Sequence, residues 1–273
     1  MIHSVKNEVS REGRHITTNG VRLHYIDLVA HGQTTAQTII LIPGITSPAI
    51  TWEFVGARLA ASSRVIIIDN RGRGLSSGGI ELTYGLEDYA RDTAGLIEQL
   101  NIKSPVILGH SMGARIAFKF GALFPDLVGK IIAADPPVTG PGRRPYPIPL
   151  EWYLEGIDAA SRGDPEDTSS PILKNWSHEQ LSLRAEWLPT CDKTAIAGSH
   201  ASFHKEDIHS LLPQIECPVL LIYAENGNTV LDGDAKEIVE ATHNCSAIKI
   251  EGVGHMIPWD DLDAFITATE SFL

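Results

Sequence analysis

Short aliphatic runs recur along this chain at residues 38–42, 64–69, 105–108, 130–134, 218–223 and 247–250, with longer stretches between them. Each run is apolar without alternation, the pattern of a strand covered by helices on both faces, as in a parallel sheet. The intervening stretches 52–61, 87–100, 112–124, 235–241 and 262–272 read as helices. Repeated strand–helix alternation restricts the chain to the α/β class, with a predominantly parallel sheet and right-handed crossovers. Upstream, 14–18 and 21–28 read as an antiparallel pair. Asn19-Gly20 between them supplies two residues that tolerate positive φ, as a tight hairpin requires.

The alternation breaks once. From 136 to 213 no strand-like run occurs; prolines stand at 136, 137, 141, 145, 147 and 149, and the remainder is helix-like with Trp152, Trp176 and Trp187. A helical insertion into the sheet is therefore expected, with 1–135 and 214–273 forming the core domain and 136–213 a cap. No internal repeat or low-complexity segment accompanies it. No apolar run approaches the ~20 residues that span a bilayer. A net charge of -12 opposes binding to nucleic acid or to an anionic membrane. It also means that an anionic ligand must be held by a local cation. Cys191, Cys217 and Cys245 are odd in number and widely spaced, which fits inert thiols in a reducing compartment. With an N-terminus too polar for a signal peptide, the expected location is the cytoplasm.

Gly109-His110-Ser111-Met112-Gly113 joins the end of the 105–108 strand to the start of the 112–124 helix. In a G-x-S-x-G elbow the serine sits on a strained strand-to-helix turn, and the flanking glycines let neighbouring backbone approach closely. Among 24 glycines the bare pattern carries little weight; strand before and helix after give it meaning. Ser111 is the candidate nucleophile.

A serine hydroxyl needs a base to take its proton and an acid to orient that base. Of eleven histidines, His255 lies in the Gly252-Val-Gly-His255 loop between the last strand and the last helix, where an imidazole can reach over the carboxyl edge of the sheet. His110 is expected to point away at the elbow, and His24 lies within an early strand. Two positions compete for the acid. After the 218–223 strand the expected place holds Gly227, with Glu225 and Asp232 nearby. The 130–134 strand instead ends in Asp135-Pro-Pro, at the carboxyl edge where catalytic groups of open α/β sheets gather. Asp135 is preferred. Backbone N–H groups of Met112, after the nucleophile, and of Ile45, in Pro43-Gly44-Ile45-Thr46, would hold an oxyanion.

Other patterns carry less. Gly72-Arg-Gly74 starts like a dinucleotide fingerprint but lacks its third glycine and reads as a tight turn. His200, His204, His209 and Asp207 lack the H-E-x-x-H spacing of a zinc site, so no metal is expected.

With Ser111, Asp135 and His255 in that order around an insertion, the chain resembles the α/β-hydrolase superfamily over nearly its full length. Four strings, residues 43–52, 135–144, 183–188 and 254–263, are similar to those of bacterial deformylases of nicotinic acid degradation. That resemblance implies a cofactor-free serine hydrolase acting on a small anionic formamide, with Asp135 as the acid. Arg143, Arg144 and Arg184 in the insertion, and Arg115 and Arg71 nearer the core, are candidates for the substrate carboxylate. Arg184, beside Trp187, is slightly preferred. An esterase, lactonase or carbon–carbon bond hydrolase would use the same machinery, and a non-catalytic receptor could share the scaffold.

Overall fold

The computed structural model describes residues 9–32, 37–164, 173 and 175–273. Residues 1–8 and 33–36 of the expected core, and 165–172 and 174 of the expected insertion, lie outside it. In chain order the elements are β1 (Val9–Thr18), β2 (Val21–Ala30), β3 (Thr38–Ile42), α1 (Glu53–Leu59), β4 (Arg64–Ile68), α2 (Leu86–Gln99), β5 (Val106–His110), α3 (Met112–Leu123) and β6 (Lys130–Ala134). There follow α4 (Leu150–Arg162), α5 (His178–Trp187), α6 (Lys193–Lys205), β7 (Val219–Ala224), α7 (Asp232–Ala241), β8 (Cys245–Ile250), α8 (Ile257–Asp260) and α9 (Leu262–Glu270).

The strands form one eight-stranded sheet in the order β1-β2-β4-β3-β5-β6-β7-β8. β1 and β2 pair antiparallel through the Asn19-Gly20 turn, whose φ angles are 46° and 75°. β2 is antiparallel to β4, and every later pairing is parallel. Alternate side chains of each central strand enter two cores. Ile40, Ile66, Ile107, Ile131 and Leu221 pack on the side of α2, α3 and α7. Ile39, Val65, Val106, Ile132 and Leu220 pack with Val55 and Leu59 of α1 and Phe265 of α9. Strands buried on both faces explain the unbroken aliphatic runs.

Several boundaries differ from the sequence reading. β1 starts at Val9 rather than at residue 14, because its ten-residue register with β2 outweighs a polar, exposed composition. The helix read over 52–61 is a 3-10 turn, Ala49–Trp52, leading into the shorter α1. β5 continues past Leu108 because Gly109 and His110 pair with Ala133 and Ala134 of β6. α7 begins at Asp232, where the Asp234 carboxylate accepts the Leu231 N–H and secures the first turn. The short α8, with proline in its first turn, is new. Between β6 and β7 the described chain contains helices and turns. No helix among the described residues is long and apolar enough to cross a membrane.

Candidate active site

β5 delivers Ser111 to the carboxyl edge of the sheet in a strained positive-φ conformation, φ 55° and ψ -118°. The Ser111 N–H donates to the Ala134 carbonyl at 2.8 Å, holding the turn against β6. Such a conformation is rare for a residue with a side chain and persists only where its surroundings enforce it. Both glycines of the motif are required by space. A Cβ on Gly109 would stand 2.1 Å from the Gly113 carbonyl oxygen, and one on Gly113 would stand 1.9 Å from that of Ile42.

The His255 imidazole lies between the other two candidates. Ser111 Oγ–H donates to Nε2 at 3.0 Å, and Nδ1–H donates to Asp135 Oδ2 at 2.6 Å. Asp135, fully buried, ends β6 with φ 45°, and its N–H donates to the Ile222 carbonyl at 2.8 Å. Its Oδ1 accepts the Ala224 N–H at 3.3 Å. This arrangement fixes the tautomer with the proton on Nδ1 and leaves the Nε2 lone pair facing serine. Neither competing acid makes this contact. Glu225 accepts the Gly252 N–H at 2.8 Å, and exposed Asp232 pairs with Lys249 at 2.6 Å, which lowers its pKa. Gly227 leaves the space that Asp135 occupies: a Cβ there would meet Asp135 Oδ2 at 2.9 Å.

The sequence did not point to Thr229. Its hydroxyl lies 3.0 Å from His255 Nδ1 and donates to the Gly227 carbonyl at 3.3 Å. It thus accepts a second branch of the Nδ1–H bond. The expectation that His110 turns away is corrected: its ring packs 4.9 Å from that of His255 and lines the same pocket. Its Nε2–H donates to the His255 carbonyl at 2.9 Å. Burial, reinforced by the neighbouring His255, pushes the His110 pKa down to about 3, so this ring is neutral at physiological pH.

Around Ser111 lies a small pocket. Its floor includes Gly44, Ile45, Thr46 and Ser47. A Cβ built on Gly44 would come within 3.5 Å of the Ser111 Cβ, so the loop bearing the Ile45 N–H passes close to the nucleophile. The segment between β6 and β7 supplies the opposite wall: Tyr146, Trp152, Tyr153, Leu173, Trp176 and Arg184. Tyr146 and Tyr153 share a hydroxyl–hydroxyl bond of 2.7 Å, and burial raises both phenol pKa values, Tyr146 to about 12. One phenolic proton remains free for a ligand acceptor.

The five candidate arginines separate by their surroundings. Arg71 forms a bidentate pair with Asp92, Arg143 with Glu237, and Arg144 pairs with Asp234. Arg115 is buried among the carbonyls of Pro137, Thr139 and Glu206. Arg184 alone of the five lines the pocket, its guanidinium 5.9 Å from the Trp176 ring centre. His200 and His204 pack with ring centres 5.3 Å apart, but no group of three or more His, Cys, Asp or Glu among the described residues is arranged to hold a metal.

The family model of the α/β hydrolase fold matches residues 37–262. The chain belongs to the α/β-hydrolase family. Within this family it is 42% identical to N-formylmaleamate deformylase of Pseudomonas putida over 96% of both chains. A crystal structure of N-formylmaleamic acid deformylase from Pseudomonas putida S16, a serine-to-alanine form, superposes with TM-score 0.87 at 42% identity, covering 94% of this hydrolase and 100% of the other chain. The enol-lactonase of Burkholderia xenovorans LB400 shares the fold at TM-score 0.76 and 19% identity, over 95% and 99% of the two chains.

Proposed function

We propose that this hydrolase removes the formyl group of N-formylmaleamate, giving formate and maleamate, with Ser111, His255 and Asp135 as its catalytic triad. The likeness to the deformylase over nearly the whole of both chains carries the substrate, and the hydrogen-bonded chain from Ser111 to Asp135 supports the mechanism. His255 Nε2 takes the Ser111 proton as Oγ attacks the formyl carbon. The Ile45 and Met112 N–H groups receive the oxyanion. Breakdown expels the amide nitrogen, protonated by His255, and leaves a formyl ester on Ser111. Water activated by the same imidazole hydrolyses that ester. The departing nitrogen bears a second carbonyl, which makes it a better leaving group than a simple amine.

The remaining parts suit a small anion. The described part of the 136–213 insertion acts as a cap over the pocket, and Arg184 against Trp176 holds the substrate carboxylate. This chemistry is complete without a cofactor. The three free cysteines accord with a reducing cytoplasm.

Formate release from N-formylmaleamate by the purified protein, abolished in Ser111→Ala, is the direct test. Efficient hydrolysis of p-nitrophenyl esters with no formate from this substrate refutes the reading in favour of an esterase or lactonase. Failure of a fluorophosphonate to label Ser111 would point instead to a receptor.

A further inference from the structure

Arg73 is fully buried in the turn after β4, and each of its five N–H groups has an acceptor. Nε–H donates to the Ile45 carbonyl at 2.9 Å. Nη1 donates to the Arg71 carbonyl at 2.8 Å and to Tyr89 Oη at 2.6 Å. Nη2 donates to Ser199 Oγ at 2.8 Å and approaches Met112 Sδ at 3.8 Å. All five acceptors are neutral, and burial raises the Tyr89 pKa, which keeps its phenol protonated. No carboxylate among the described residues forms an ion pair with Arg73, whereas the adjacent Arg71 is paired with Asp92.

A buried charge satisfied by hydrogen bonds alone remains electrostatically uncompensated, and this is costly in a medium of low dielectric. Its location gives the cost a use. Arg73 touches Ile45 and Met112, the two residues whose N–H groups face the oxyanion in the proposed reaction. Negative charge is absent there in the resting enzyme and develops on the substrate oxygen in the tetrahedral intermediate. Interactions stronger in the transition state than in the ground state raise kcat.

We propose that Arg73 is a positioning residue that backs the oxyanion pocket with a positive charge, offset only when the tetrahedral intermediate forms. The inference rests on the assignment of Ser111, Ile45 and Met112 above. Through Ser199 on α6 and Tyr89 on α2, the same guanidinium also ties the segment between β6 and β7 to the oxyanion loop.

Scaffolding and charge are separated by three variants. Arg73→Met removes both and is expected to lower kcat about 100-fold with KM little changed, the scale of a lost oxyanion contact. Arg73→Lys keeps the charge but loses the fork, and should retain roughly ten times the kcat of Arg73→Met. Ser199→Asp places a carboxylate against Nη2. It keeps the guanidinium and neutralises its charge, so kcat should fall roughly tenfold while the thermal midpoint holds or rises. Phosphonylation of Ser111 by a fluorophosphonate, whose adduct places an oxygen in the same pocket, should slow in parallel. Equal losses in the Lys and Met variants, or wild-type kcat in Ser199→Asp, overturn the proposal. If both Arg73 variants fail to fold, Ser199→Asp decides alone. Persisting formate release in Ser111→Ala would instead sink the site assignment itself.

Discussion

His110 couples the stability of the site to pH in a way that can be measured. Its ring is 1% exposed and its pKa lies near 3 in the fold, against 6.5 when solvated. A folded-state pKa below the unfolded value means that the unfolded chain binds the extra proton. The stabilisation is therefore complete above pH 6.5 and is lost as pH falls towards 3. Each pH unit in that window corresponds to about 1.4 kcal/mol, so lowering the pH from 6.5 to 5 removes about 2 kcal/mol through this residue alone. His110→Gln retains an N–H to donate to the His255 carbonyl and removes the titration. Urea unfolding of both proteins at pH 7 and pH 5 isolates the difference, since every other titrating group is common to the pair. The wild type should lose about 2 kcal/mol more than the variant over this interval. Parallel pH dependences would falsify the account of a neutral, buried imidazole. The functional corollary is that His110 adds no positive charge 4.9 Å from the His255 ring.

Three further outcomes follow from the geometry. Asp135→Asn should lower kcat roughly 10³–10⁴-fold by releasing the His255 tautomer, whereas Asp232→Asn, which touches Lys249 and Tyr223, should leave steady-state rates unchanged. Arg184→Met should weaken capture of the anion by about 1.5–3 kcal/mol, read as a higher KM; a neutral amide of the same formamide should be turned over equally by both proteins. Gly227→Ala sets a methyl group 2.9 Å from Asp135 Oδ2, and should cut kcat roughly tenfold while circular dichroism stays native.

The parts legible in the sequence are those whose cause is local. The elbow declares itself because the backbone crossing at Gly109 and Gly113 admits no side chain. Asp135 is legible because an acid at the end of a strand must emerge at the carboxyl edge, and Gly227 because the other position lacks a carboxylate. Thr229, Arg73 and the role of His110 were not legible. Each depends on a partner far along the chain: His255 lies 26 residues from Thr229 and 145 from His110, and Ser199 lies 126 from Arg73. The arginines show the same limit. Sequence favoured Arg184 only slightly, for its place beside Trp187, and packing is what sets it apart as the one of the five that lines the pocket. The edge strand β1 went partly unread because pairing, not composition, makes it a strand.

Ser111 and Asp135 directly follow neighbouring strands, both at positive φ, each with its N–H bound to the next strand. This geometry limits what chemistry the fold can acquire by substitution. A β-branched side chain is strongly disfavoured at positive φ. Threonine is therefore a poor replacement for Ser111, although its hydroxyl serves as a nucleophile in other enzymes. Cysteine and aspartate, both unbranched at Cβ, fit the same backbone. The range of reactions open to this scaffold, thiol ester or carboxylate ester as well as hydroxyl ester, is narrowed by the positive φ at Ser111 before any pocket residue is chosen.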